Sequence, residues 1–180
     1  LKPDIDISID NDSTFKVACE SGNLELVKYL LEIKPDIDIN EDNSYAFVLA
    51  CQSGDYGLIK ILLEKSPNID ISNYIEETLK NLCKGGNIEL LEYITSKFKI
   101  NSNYFDNSIM QSACLGGNID IVKFVYETNN NIDILKDTGN NELVFKNACL
   151  SGNLEIVKYI LHLKPDIDIS IDNDSTFKVA

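Results

Sequence analysis

With 180 residues, 44% of them hydrophobic, and a net charge of −13, the chain holds enough apolar material for a core and too much negative charge for a phosphate-binding surface. Wholesale disorder and nucleic-acid recognition are excluded on those grounds, and basic proteins or cations become the partners that such a surface attracts. No apolar run approaches the roughly eighteen residues of a membrane span, and no charged-then-apolar leader opens the chain. The chain starts at Leu1 rather than Met and reads as an excerpt, so secretion is not excluded.

The first eighteen residues, "LKPDIDISIDNDSTFKVA", return unchanged as Leu163–Ala180, an offset of 162 residues. Residues 1–12 read as the end of a preceding repeat. "STFKVACESGNLELVKYLLE" then puts Phe15, Ala18 and Cys19 on one helical face, at i, i+3 and i+4. Gly22-Asn23 breaks that helix where a left-handed residue is needed. Leu24, Val27, Leu30 and Leu31 form the apolar face of a second, antiparallel helix. The connector "KPDIDI" alternates, turning Ile37 and Ile39 inward.

The same phrase follows four more times, as "FVLACQSGDYGLIKILLE", "LKNLCKGGNIELLEYITS", "MQSACLGGNIDIVKFVYE" and "FKNACLSGNLEIVKYILH". Cys19, Cys51, Cys83, Cys114 and Cys149 stand 32, 32, 31 and 35 residues apart, so the 162-residue offset is filled by five short repeats. Their boundaries read as 13–44, 45–76, 77–107, 108–142 and 143–174, with 175–180 starting another. Repeat two carries Tyr56-Gly57 where others carry Leu-Glu and reads as the softest, since Gly costs about 1 kcal/mol against Ala in a helix. The fourth connector is three residues longer, which lengthens a surface finger. No repeat buries both of its helices alone, so neighbours must stack.

These residues resemble the ankyrin repeat over the whole chain. "STFKVACESGNLELVKYLLEIKPDIDI" is similar to the family's Thr-Pro-Leu-His-x-Ala-Ala, Gly-(His/Asn)-Leu-Glu-(Val/Ile)-Val-Lys-x-Leu-Leu and Ala-Asp-Val-Asn segments. The "KPDIDI" wording looks most like divergent ankyrin arrays of giant DNA viruses and unicellular eukaryotes. The fold expected is an all-α, ankyrin-type helix-turn-helix solenoid with short extended or hairpin connectors, five full repeats and uncapped ends. Thr-Pro-Leu-His reads "STFK", "EETLK" or "NSIMQ" here, so the family's Pro and His are missing from every repeat. The resemblance implies a binding module or scaffold without catalytic activity, whose partners meet the finger tips and the exposed face of the first helices.

Partner-binding positions follow from what varies between repeats. Lys16, Val48, Lys80, Gln111 and Lys146 differ at one first-helix place, as do Glu20, Gln52, Lys84, Leu115 and Leu150 just after each Cys. From these, Lys16, Glu20, Gln52 and Lys84 are candidate contacts. Tyr74, Tyr104 and Phe105 join them as finger-tip aromatics in the related phrases "NYIEETL" and "NYFDNSI", and either anchor a partner or pack one finger on the next.

Chemistry finds little purchase. Cysteines at equivalent places in stacked repeats lie about 8–10 Å apart, beyond disulfide reach, and His162 is the single histidine, so zinc lacks ligands. Five unpaired core thiols suit a reducing, intracellular compartment or a virus particle. Asp36, Asp38, Asp133, Asp166 and Asp168 recur in the connectors but lack the Gly turns of a calcium loop, and Asn68 interrupts the series. The sequons at Asn11 and Asn173 read as chance in an Asn-rich loop. No nucleophile–base set, cofactor motif or metal site is present, and the chain is not an enzyme. Two readings remain: a segment of a long tandem array joining head to tail into a filament or superhelix, or a finite adaptor holding a basic protein on a concave face.

Overall fold

Each of the five Gly-Asn or Gly-Asp junctions does the same thing to the backbone. In the computed structural model, which describes residues 13–129, 132, 143–165 and 167, Gly22, Gly54, Gly86, Gly117 and Gly152 all take φ between 67° and 77°. That left-handed conformation costs glycine nothing and most other residues about 1–2 kcal/mol. The polar residue that follows, Asn23, Asp55, Asn87, Asn118 or Asn153, then caps the next helix by accepting a backbone N–H.

The described residues form ten α-helices, two 3-10 turns and no strand, in two compact units. The first unit, Leu1–Gly85, contains α1 (Ser13–Glu20), α2 (Leu24–Ile33), α3 (Glu41–Ala50), α4 (Tyr56–Lys65) and α5 (Ile75–Gly85), with a 3-10 turn at Cys51–Ser53. There α1 packs on α3, α3 on α5, and α2 on α4. The second unit, Gly86–Ala180, contains α6 (Ile88–Lys97), α7 (Asn107–Gly116), α8 (Ile119–Thr128), α9 (Leu143–Leu150) and α10 (Leu154–Leu163), with a 3-10 turn at Ser102–Tyr104. In it α7 packs on α9, and α8 lies between α6 and α10. Both units are built from helix-turn-helix repeats of the ankyrin type.

Most of the predicted core is buried, while Leu24, Leu31 and Cys149 are only half-buried. Phe15, Phe47, Leu79, Met110 and Phe145 are all buried, and Cys19, Cys51, Cys83 and Cys114 are fully so. The connectors keep their alternation, with Ile37, Ile39, Ile69 and Ile71 inside and Asp36, Asp38 and Asp70 outside. Their backbone is turned rather than laddered: Ile37 N–H donates to Lys34 O and Glu41 N–H to Asp38 O. The repeated ends 1–12 and 175–180, the longer fourth connector, Asp133, Asp166, Asp168, Asn11 and Asn173 lie outside the described residues.

Where the sequence lacks the family's Pro and His, asparagine amides tie neighbouring layers. Asn81 Nδ2 donates to Val48 O at 2.9 Å, from a side chain that is itself buried. Asn147 Nδ2 repeats the bond to Gln111 O at 3.2 Å. Two of the cap residues are bifunctional. Asn118 Nδ2 reaches Gly86 O at 2.8 Å and Asn153 Nδ2 reaches Gly117 O at 2.9 Å, while their Oδ1 atoms cap α8 and α10. Asp55 caps α4 in the same way but has no amide to donate. The entry to α3 departs from expectation: Asp42, Asn43 and Ser44 are left-handed, with φ of 49°, 58° and 65°, and the right-handed helix starts at Tyr45. Ser44 holds this turn, donating through Oγ to Asn40 Oδ1 and accepting Asp70 N–H.

Two substitutions test this packing. A methyl group at Gly85 would stand 2.9 Å from both Gln52 O and Gly54 N, backbone atoms that cannot swing aside. Gly85→Ala is expected to cost roughly 1–3 kcal/mol in urea melts, whereas Gly57→Ala, whose methyl meets only side-chain atoms, should be near neutral or stabilising. Asn153→Asp keeps the α10 cap and loses the donor to Gly117 O, so it should cost about 1 kcal/mol. Asn153→Ala should cost about twice that, because the cap goes as well.

Candidate functional site

The row after each cysteine is where the first helices run out into solvent. Glu20 ends α1, Gln52 sits in the 3-10 turn that follows α3, and Lys84 lies near the end of α5; all three are exposed. Packing of that turn against both α1 and α5 makes them neighbours on one edge of the first unit. In the second unit the equivalent positions are apolar: Leu115 on α7 and Leu150 on α9, from two helices in contact, are 44% and 45% exposed. These leucines were read in the sequence as free positions but not as partner contacts. Their place directly after Cys114 and Cys149 was the signal available.

Beside the polar row of the first unit runs an open groove of about 520 Å³ lined by Tyr74, Glu76, Glu77, Lys80 and Lys84. Tyr74 leans on Tyr45 with ring centroids 5.0 Å apart, and Tyr45 Oη donates to Glu77 Oε1 at 2.8 Å. That bond to a carboxylate, with smaller help from burial, holds the Tyr45 phenol above its ordinary pKa. Lys80 Nζ pairs with Glu76 at 2.5 Å across one helical turn. Lys16 is tied to Asp42, and only 15% of its side chain is exposed. The structure therefore brings Tyr74 and Lys84 together on one groove, exposes Glu20 and Gln52 outside its lining, and engages Lys16 within the first unit.

Two expectations need correction. Phe105 is fully buried, stacked edge-on against Phe124 at 5.9 Å, and cannot anchor a partner. Its burial has a cause in the sequence. Ile39 and Ile71 stand twelve residues before the next Cys, and at that place the third connector has Ser102. The 3-10 turn at Ser102–Tyr104 swings Phe105 into the core instead, and Asn129 Nδ2 secures its carbonyl at 2.8 Å. Tyr104, on the same turn, stays 43% exposed. Val48 is likewise fully buried rather than free. Lys16, Lys80, Gln111 and Lys146 at that place are half-buried, as suits a long side chain with an apolar stem and a polar head; Val has no such head.

The acidic connector residues have a local use. Asp38 Oδ1 accepts the Asn40 N–H and Asp70 Oδ1 the Ser72 N–H, both at 2.9 Å, closing Asx turns. Among the described residues no three His, Cys, Asp or Glu side chains gather closely enough to hold a metal ion, and no helix is long and apolar enough to cross a membrane. His162 is exposed in the last turn of α10, where a cation suits the helix dipole.

A family model described as ankyrin repeats (3 copies) matches residues 2–74 and 79–173. No curated protein matches the chain.

The buried thiols make a pH prediction. Burial pushes Cys19 and Cys114 up to about 12 from 9.0, and raises Cys51 as well. Below pH 9 both folded and unfolded thiols are neutral, and the stability associated with them is intact. Between about 9 and about 12 the unfolded chain gives up protons that the folded chain keeps, so stability should fall by on the order of 1.4 kcal/mol per pH unit per thiol. Urea midpoints followed across that range should show the decline, and Cys19→Ala or Cys114→Ala should each make it shallower.

Proposed function

The chain belongs to the ankyrin-repeat family, and from that premise we propose that it is a non-enzymatic scaffold whose 162-residue unit is repeated in a longer tandem array, forming an elongated filament or superhelix. The observation that supports this is the identity of Leu1–Ala18 with Leu163–Ala180 at an offset of five whole repeats. Repeat boundaries at 13–44, 45–76, 77–107, 108–142 and 143–174 follow from that periodicity. In a solenoid each repeat supplies half of the interior of the next, so length is added without changing the fold. The net charge of −13 would keep neighbouring rods apart. Cysteines outside any disulfide, four of the five buried, suit a reducing interior or a virus particle.

A second reading, a finite adaptor for a basic protein, is favoured by the polar row. Glu20, Gln52 and Lys84, with Tyr74 on the adjoining groove, offer hydrogen bonds and one aromatic surface to a cationic segment. Lys16 and Tyr104 would lie at the margin of such a contact.

Reading the coding sequence on both sides separates the two. The array requires further near-identical 162-residue copies and elongated particles by electron microscopy of the full-length protein. Divergent flanking repeats, a polar cap and a binding loss of about tenfold on Glu20→Lys toward a basic partner would replace it with the adaptor.

A further inference from the structure

The groove of the first unit carries a charge pattern with a definite spacing. Its lining comes from α5 and the two residues before that helix. Glu77 and Lys84 stand seven residues apart on α5, two turns, and so share one face about 10 Å apart. Between them the polar groups are engaged: Lys80 Nζ holds Glu76 at 2.5 Å, and Asn81 Nδ2 is committed to Val48 O at 2.9 Å. Lys84 is exposed and pairs with no carboxylate among the described residues. Glu77 receives the Tyr45 hydroxyl on Oε1, which leaves Oε2 to accept from elsewhere. The groove therefore has an acidic end and a basic end, with a neutral pair between them.

Each end selects its ligand. At the acidic end the Tyr45 and Tyr74 rings meet at 5.0 Å beside the Glu77 carboxylate. The bond to Glu77, then burial, then the charges of Glu77, Tyr74 and Glu20 hold the Tyr45 phenol up, so this corner disfavours more negative charge and favours a cation. A carboxylate beside an aromatic face suits a guanidinium better than an ammonium, because the planar fork both bonds the carboxylate and stacks on the ring. A second copy of this chain cannot supply one, since all 16 of its cationic residues are lysine. The shape restricts the backbone that carries it. Spread over the distance from Glu77 to Lys84, a volume of about 520 Å³ is a trough about 7 Å wide, too narrow for an α-helix of roughly 10–12 Å. A polyproline II segment, with three residues per turn and a rise of about 3.1 Å, places residues i and i+3 on one face about 9 Å apart. A β-strand would put them on opposite faces.

We propose that this groove seats a proline-rich segment of another protein, in polyproline II conformation, that carries an arginine and a carboxylate three residues apart. The guanidinium lies against Tyr74 and bonds Glu77, and the carboxylate pairs with Lys84. Proline suits the two positions between, because it holds that conformation before binding and brings no unpaired N–H into the trough. The proposal rests on the adaptor reading and names the chemistry of the partner that reading leaves open.

Calorimetric titration of the chain with the end-capped peptides Gly-Arg-Pro-Pro-Glu-Gly and Gly-Glu-Pro-Pro-Arg-Gly, which cover both chain directions, provides the test. At least one should bind saturably, and its complex should show nuclear Overhauser contacts from the arginine to the Tyr74 ring. Glu77→Gln, which keeps an acceptor for Tyr45, should weaken binding about tenfold, as should Lys84→Glu. A peptide with lysine in place of its glutamate should bind Lys84→Glu and not the parent chain, a rescue that loss of folding cannot produce. Failure of both peptides to bind overturns the proposal, and so does binding that ignores Glu77→Gln and the Lys84 exchange. A basic protein whose binding falls with Glu20→Lys but not with Glu77→Gln would keep the adaptor and remove this groove as its seat. Flanking 162-residue copies would instead sink the finite adaptor, and the peptide titrations would still decide the groove.

Discussion

The carbonyl of a left-handed glycine and the amide of the asparagine that caps a helix one layer on are joined at 2.8 Å between Gly86 and Asn118, and at 2.9 Å between Gly117 and Asn153. This bond couples three requirements at one point. The glycine must be left-handed to reverse the chain, the asparagine must be extended to start a helix, and the two layers must approach closely enough for a side-chain amide to bridge them. Each condition is local, but the bond forms only when all three hold. In the second unit that is how a repeated phrase becomes packed layers in register rather than independent hairpins.

The rest of the packing supports that register. Asn81 places its amide in a buried site because Val48 O is there to receive it, and an unmatched amide in such a place would cost about 1–3 kcal/mol. The inward isoleucines of the connectors seal the layers from the side. The third connector shows how strict that demand is. With Ser102 at the isoleucine place, the backbone takes an extra turn so that Phe105 can fill the space. Core volume outweighs connector geometry here, because a void in the interior is costlier than a short 3-10 turn.

Once the interior is satisfied, each unit keeps a thin exposed edge of its own, and the two differ in chemistry. Glu20, Gln52 and Lys84 make it polar in the first unit, and Leu115 and Leu150 make it apolar in the second. The first kind of edge suits a hydrogen-bonded contact and the second a desolvated one. The buried thiols take no part in either. Their raised pKa values mark them as small core residues, inert at neutral pH.

By itself the sequence determined the helix pairs, the glycine turns, the stripe of Phe or Leu and Cys, and the inward isoleucines. These rest on periodicity and on φ preferences that act within a few residues, so one strand of text carries them. It also marked the variable places in each repeat. Only the tertiary structure decided which variable places face solvent. Val48 and Phe105 look as free as Lys80 and Tyr104 on the page, but a side chain's exposure depends on the layer packed beside it, and that neighbour lies some thirty residues away in sequence. The left-handed entry to α3 and the cross-layer asparagine bonds belong to the same class. Each is a relation between repeats, and a pattern read within one repeat contains no information about it.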